Sequence, residues 1–242
     1  HYEVYENLIV PRGYRLVFEP GVQLYMAPNV NLLTFAPIRF VGSAVDSVLI
    51  GPLEEGSPWG AIGVVTAQGL SIMDHVSLRG GGAGTKTMLE GIYLTGQLNF
   101  YSSDVEIRNS RILDSEGEDG LNIKKARFKI ENTVFAGHRA DAFDGDWVDG
   151  AVVDSRFLHN GNDGLDLSGA RVLVVDTVFS GMGDKAISAG EQSKVDIVNC
   201  RIESSVFGVT AKDLSLIRIY ASSIDGNRYG IASYRKKPVF GG

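Results

Sequence analysis

An all-β solenoid with coils of about 22 residues is the fold this sequence predicts, and three observations predict it. Gly120, Ala142, Gly164, Ala186, Gly208 and Gly230 recur at intervals of 22, each followed by an apolar and then a small or polar residue. A second column holds Ile112, Phe135, Phe157, Phe179, Ile202 and Ile224, with Asn109, Asn132, Asp154, Asp176 and Asn199 three places before its first five members. No stretch sustains helical periodicity. Short strands repeating at a fixed period with polar punctuation are the mark of a solenoid.

Taken in order, residues 7–10, 14–18, 22–26 and 48–50 read as strands, with Pro11-Arg12-Gly13 and Pro20-Gly21 as turns between them. Residues 59–67 and 70–78 follow as two more. Gly80-Gly81-Gly82-Ala83-Gly84-Thr85 reads as a loop leaving the stack. From Gly91 to Gly120 the spacing is 29, and the excess is expected near 95–102 as a second protrusion. Beyond that the chain is regular. Strand-like sequence at both ends predicts one domain over 1–242, itself part of a larger protein with other domains in the same chain.

Composition narrows the classes. There are 23 basic and 29 acidic residues among 242, so the clustered positive charge that nucleic acid demands is missing. No apolar run has transmembrane length, and membrane insertion is not expected. The one cysteine, Cys200, excludes an intrachain disulfide and reads as a small core filler.

The 22-residue unit with about three strands per turn resembles the right-handed parallel β-helix of pectin- and alginate-processing enzymes and of many bacterial surface proteins. The resemblance covers essentially the whole chain and implies the pectate-lyase-like superfamily. Stacked coils lie ~4.8 Å apart, so residues one period apart become axial neighbours.

On that geometry two acidic columns converge on one outer face. The first reads Glu90, Asp119, Asp141, Asp163, Lys185, Phe207, Tyr229, and the second Tyr93, Asn122, Asp144, Asp166, Ser188, Thr210, Ala232. Leu121, Phe143, Leu165 and Ile187, between the two columns, point inward. Glu118, Asp146, Asp149 and Asp184 are expected to thicken the patch. Carboxylates at this spacing repel by about 3–4 kcal/mol per pair at an effective dielectric of 20. A cation, a lysine or protonation of one member relieves the strain. An oxygen-rich set of Asp141, Asp144, Asp163 and Asp166 suits Ca²⁺ as the one cofactor expected. A plain alternative is that Asp-Gly pairs at Asp119 and Asp163 serve turn geometry.

Asn162-Asp163-Gly164-Leu165-Asp166 and Gly183-Asp184-Lys185 look like the Asn-Thr-Asp-Gly and Gly-Asp-Asp segments of polygalacturonases. That resemblance implies catalytic roles for Asp163 and Asp184 in acid–base chemistry at a glycosidic bond. Lys185 stands where the third aspartate belongs, and neither the Gly-His-Gly nor the Arg-x-Lys segment of the family is present. A lysine beside carboxylates resembles instead the β-helix polysaccharide lyases, which implies Lys185 as the base, with Lys212 near the same face. Trp147 reads as a sugar-stacking residue at the rim. The expectation is a secreted or cell-surface, bacterial, carbohydrate-interacting β-helix with polysaccharide as its partner. Asp141, Asp144, Asp166, Trp147 and Lys212 would bind substrate, and any activity would be that of a lyase or hydrolase. The alternative is a non-catalytic structural or adhesive β-helix domain.

Overall fold

Each period of the sequence folds as three short strands, and successive periods stack as parallel coils. In the computed structural model, which describes residues 1–83 and 87–240, the strands form two ten-stranded sheets and one nine-stranded sheet, all pairings in them parallel. The first sheet carries Asp119–Lys124, Asp141–Asp146, Leu165–Ser168, Lys185–Gly190, Phe207–Lys212 and Tyr229–Tyr234. In the coil beginning at Asp119, the second sheet takes Arg127–Glu131 and the third Val134–Ala136. A single 3-10 turn, Pro238–Phe240, is the only helical element among the described residues. Among the described residues no helix is long and apolar enough to cross a membrane.

The repeat sets the core directly. Ile112, Phe135, Phe157, Phe179, Ile202 and Ile224 are register partners in the third sheet. The rings of Phe135, Phe157 and Phe179 stack with centroids 4.7 Å apart, which is the strand spacing itself. Asn109, Asn132, Asp154, Asp176 and Asn199 all adopt left-handed backbone, with φ between 45° and 53°. Asn and Asp tolerate that conformation better than other side-chain-bearing residues, which explains their recurrence at the first position of the two-residue corner between the second and third sheets.

The two irregular regions differ from the expectation. Gly80 to Ala83 do not leave the stack. The amides of Gly82 and Ala83 donate to the carbonyls of Gly60 and Trp59 at 2.6 and 2.8 Å. A Cβ on Gly81 would come within 2.5 Å of the Trp59 ring, so the glycines allow close backbone packing rather than looseness. Gly84 and Thr85 lie outside the described residues. The excess near 95–102 is not a loop either: Gly96–Tyr101 is a buried strand of the first sheet, in register with Asp119–Lys124. The extra length is an antiparallel hairpin, Thr87–Leu89 with Ile92–Leu94. Residues 70–78 form two strands, Ser71–Asp74 and Val76–Arg79, because His75 turns the chain with φ 53°.

Candidate functional site

Three columns stand on the outer face of the first sheet. The central one runs Asn99, Asn122, Asp144, Asp166, Ser188, Thr210, Ala232, each residue the register partner of the next. Three residues earlier on successive strands come Gly96, Asp119, Asp141, Asp163, Lys185, Phe207 and Tyr229. Two residues later come Tyr101, Lys124, Asp146, Ser168 and Gly190, with Lys212 and Tyr234 beyond. Glu90 and Tyr93 belong to the hairpin and not to these columns, because counting back 22 residues crosses the insertion. The face is nonetheless largely closed to water: Asn99, Asn122, Ser188 and Thr210 are fully buried, and Asp119 and Asp163 nearly so.

In the first column each carboxylate reaches toward the next coil. Asp141 Oδ1 accepts the amide of Asp163 at 2.8 Å and the Asn162 side-chain amide at 2.6 Å. Asp163 Oδ1 accepts the amide of Lys185 at 2.9 Å. The Lys185 ammonium is clamped between Asp163, at 3.4 Å, and Asp184. Burial alone would lower its pKa, but the hydrogen bond to Asp184 and the charges of Asp163 and Asp184 outweigh that and leave it raised. Lys185 is therefore held as a counter-ion, and acting as a base would require it to give up two carboxylate partners.

The carboxylates are strained in the opposite sense. Burial, reinforced by Asp141 and Asp166, pushes Asp163 up to about 7. Burial and the charge of Asp166 push Asp141 up to about 6 against the hydrogen bonds it accepts. Burial, with Asp141 and Glu118 adding to it against Thr95 and Asn122, pushes Asp119 up to about 7, and burial followed by the charges of Asp119, Asp146 and Asp166 raises Asp144. Between them stands Asn122, whose amide donates to Asp119 Oδ2 at 3.0 Å and to Asp144 Oδ2 at 2.5 Å. Its own carbonyl oxygen is buried and finds no hydrogen-bond partner among the described residues, and the same holds for Ser188 Oγ and Thr210 Oγ1. Each such group costs about 1–3 kcal/mol while unmatched. Chemically the face offers proton-carrying carboxyls near neutral pH, orphaned polar atoms, and a Phe207–Tyr229 pair stacked at 4.8 Å with Arg228 over the outer ring.

The remaining expected residues fall as follows. Asp166 pairs with Lys212 Nζ at 3.4 Å, two coils away. The lysine lies over Gly190, where a Cβ would sit 3.4 Å from its Cε. Asp146 pairs with Lys124 at 3.4 Å. Asp149 belongs to the second sheet, in register with Arg127 and Arg171, and does not join the patch. Trp147 is exposed at the corner past the third column, its ring against Gly169 with Lys125 Nζ 5.7 Å from the ring centre. The depression beside it, about 300 Å³, is lined by Asp149, Arg171 and Lys194, so Trp147 serves the corner and not the groove. Asn99, Asn122 and Asp119 are the members of the face that the expected site left out. The phrase Gly96-Gln97-Leu98-Asn99-Phe100, with apolar residues flanking the asparagine as in Gly120-Leu121-Asn122-Ile123, is the signal that would have added Asn99. A 410 Å³ depression between Pro52, Ser57, Arg79 and Asp114 shares no residue with the columns.

For Ca²⁺ the donor chemistry is suitable but the arrangement is linear. Asp141, Asp144, Asp163 and Asp166 are spread along two columns, and among the described residues no three His, Cys, Asp or Glu side chains gather about one point.

Winding, register and the polar outer face define a parallel β-helix protein. The chain belongs to the right-handed β-helix family: the family model described as right handed beta helix region matches residues 88–240. None of the curated proteins compared matches it in sequence. Among solved structures it is similar to the crystal structure of alginate lyase from Paenibacillus sp. str. FPU-7, with 12% identity, a TM-score of 0.35, and coverage of 90% of this chain and 92% of that one. That likeness is too distant to carry any argument about the present chain.

Proposed function

We propose that the outer face of the first sheet is the glycan-binding groove of a secreted or cell-surface protein. The observation that carries this reading is the pair of half-buried carboxylates Asp144 and Asp166, axial neighbours in one column, on the same face as the stacked rings of Phe207 and Tyr229. Sugar hydroxyls both donate and accept, so a chain of them laid along the face hydrogen-bonds the carboxylates that reach its surface. The Phe207–Tyr229 stack at the far end offers a flat apolar surface of the kind a sugar ring packs against. From Asn122 to Thr210 is four coils, roughly 20 Å at strand spacing, which suits an oligosaccharide rather than a single sugar. Asp141, partly exposed and with its pKa brought to about 6, is the residue suited to acid–base work on a bound chain, with the buried Asp163 behind it. Lys185 holds Asp163 in place.

A second reading, a structural or adhesive β-helix without turnover, is favoured by the amides of Asp163 and Lys185, which tie Asp141 and Asp163 to the winding itself. Binding by the wild-type chain and by an Asp166→Asn, Tyr229→Ala variant across a panel of neutral, acidic and basic oligosaccharides separates the two. The groove predicts binding that the variant weakens at least tenfold. No binding to any class by a folded wild type sinks it. Reducing-end and unsaturated-product assays on the same panel decide whether bound glycan is cleaved.

A further inference from the structure

Neither burial nor backbone preference accounts for an indole at position 147. Trp147 stands in the corner column Lys125, Trp147, Gly169 between the first and second sheets, where φ is 52°, 52° and 62°. Bulky side chains disfavour that left-handed conformation. The residue is 56% exposed, whereas Trp59, the other tryptophan of the chain, is fully buried and donates its Nε1 hydrogen to the Arg79 carbonyl at 2.8 Å. Both neighbouring coils hold the Trp147 ring. Lys125 Nζ lies 5.7 Å from its centre, and a Cβ on Gly169 would come within 2.8 Å of its Cδ1. An exposed ring fixed in this way is a stacking surface.

The depression of about 300 Å³ beside the ring is lined by Arg171, Lys194, Gln192 and Asp149. Arg171 and Lys194 are register partners on adjacent coils, both exposed, and among the described residues neither has a carboxylate partner. Other cations of the second sheet do: Arg127 pairs with Asp104 at 3.0 Å, Lys129 with Glu131 at 2.7 Å, and Arg218 with Asp196. Asp149 is next to Arg171 in register and is the carboxylate of the lining. It opposes a bare anion such as phosphate. A ligand that suits the whole lining brings an anionic group for Arg171 and Lys194, hydroxyls for Asp149 and the Gln192 amide, and a ring for Trp147. An acidic sugar has all three. The volume lies at the small end for ligand sites and suits a single ring.

We propose that this corner is a second, non-catalytic carbohydrate site, for a sugar residue bearing a carboxylate or sulfate. It shares no residue with the outer face of the first sheet, so it goes beyond the groove reading and does not depend on it. The carboxylate columns of that face oppose an acidic chain, and the two sites divide glycans by charge.

Tryptophan fluorescence of the whole chain reads the site, because Trp59 is buried and Trp147 is not. The titrants are trigalacturonate, a sulfated disaccharide, cellotriose and triglutamate. Wild type, Arg171→Gln and a charge-matched control on the same sheet, Lys129→Gln, are compared after circular dichroism shows all three folded. At least one of the two acidic sugars should shift the emission to the blue, protect it from acrylamide, and bind at least tenfold tighter than cellotriose. Added salt should weaken that binding. Arg171→Gln should lose tenfold or more, and Lys129→Gln less than twofold. Trp147→Phe, followed by calorimetry, should lose threefold or more. The tighter of the two acidic sugars names the acid. Equal binding of cellotriose removes the anion from the site, and equal binding of triglutamate reduces it to charge attraction; either overturns the proposal. So does binding that Arg171→Gln leaves unchanged, calorimetric binding with no change at the tryptophan, or a folded wild type that binds neither acidic sugar. The groove is tested apart from this, by its own variant on the first sheet.

Discussion

Asn122 and Asp144 occupy the same column one coil apart, with the asparagine amide 2.5 Å from the carboxylate it serves. That amide is shared with Asp119, so it holds two like charges in one buried place instead of neutralising either. Replacing Asp144 with asparagine removes one charge at nearly constant shape. Asp144→Asn should therefore stabilise the chain by about 1–2 kcal/mol at pH 8 and by less at pH 5, because burial and then the charge of Asp119 raise the carboxyl and favour its protonated form as the pH falls. Urea unfolding at the two pH values measures the difference, and equal effects at both would contradict the strained pair.

The same carboxyls set the pH dependence of the whole fold. Asp163 and Asp141 bind protons more tightly folded than unfolded, since their pKa values rise from 3.8 to about 7 and about 6. In that window the native state carries the extra protons, so stability falls as pH rises from about 4 to 7. Together they are worth on the order of a few kcal/mol. Asp74, held low by the Asn109 amide and by Arg108, and Asp196, held low by Arg218, both against the opposing effect of burial, act oppositely and cost stability only as pH drops toward their own range. Thermal melting in low salt should peak between about pH 4 and 5, and a midpoint that climbs steadily to pH 8 would rule out protonated carboxyls on the face.

Lys185 provides a separate check. Removing it leaves Asp163 buried beside Asp141 with no cation. Lys185→Met should destabilise by about 3 kcal/mol at pH 8 and by clearly less at pH 5. A lysine whose role is proton abstraction would instead leave stability intact and abolish turnover alone, which melting and product assays together resolve.

The axial stack gives the strictest test of register. Phe157 is fully buried between Phe135 and Phe179. Phe157→Ala should cost about 3–5 kcal/mol by denaturant unfolding. A loss below 1 kcal/mol would mean the rings are not stacked as described.

The fold was readable because its physics is periodic. A column such as Ile112 to Ile224 repeats one chemical demand, and so does the left-handed corner from Asn109 to Asn199. Where the period breaks, the reading broke too. The Thr87–Leu94 hairpin shifted the count, put Glu90 and Tyr93 in columns that belong to Gly96 and Asn99, and turned a buried strand into an expected loop. Glycines at 80–82 looked like slack, whereas Gly81 is small because Trp59 lies against it. At the site, the spacing of Asp141, Asp144, Asp163 and Asp166 followed from the repeat. The role of Asn122 did not, because nothing in a sequence reveals which polar atom is left without a partner. Trp147 was displaced for a similar reason: one residue past the end of a strand is already around the corner.

Glycan binding on the first sheet is the claim on which the functional account stands, and chemical-shift mapping of the isotopically labelled chain tests it most directly. With the neutral or basic oligosaccharide of the panel that binds added, the side-chain amides of Asn99 and Asn122 and the backbone amides of Ser188 and Thr210 should shift together and saturate at one ligand concentration. Shifts gathered at Trp147 and Arg171 on the corner, or none anywhere with any glycan, would contradict it.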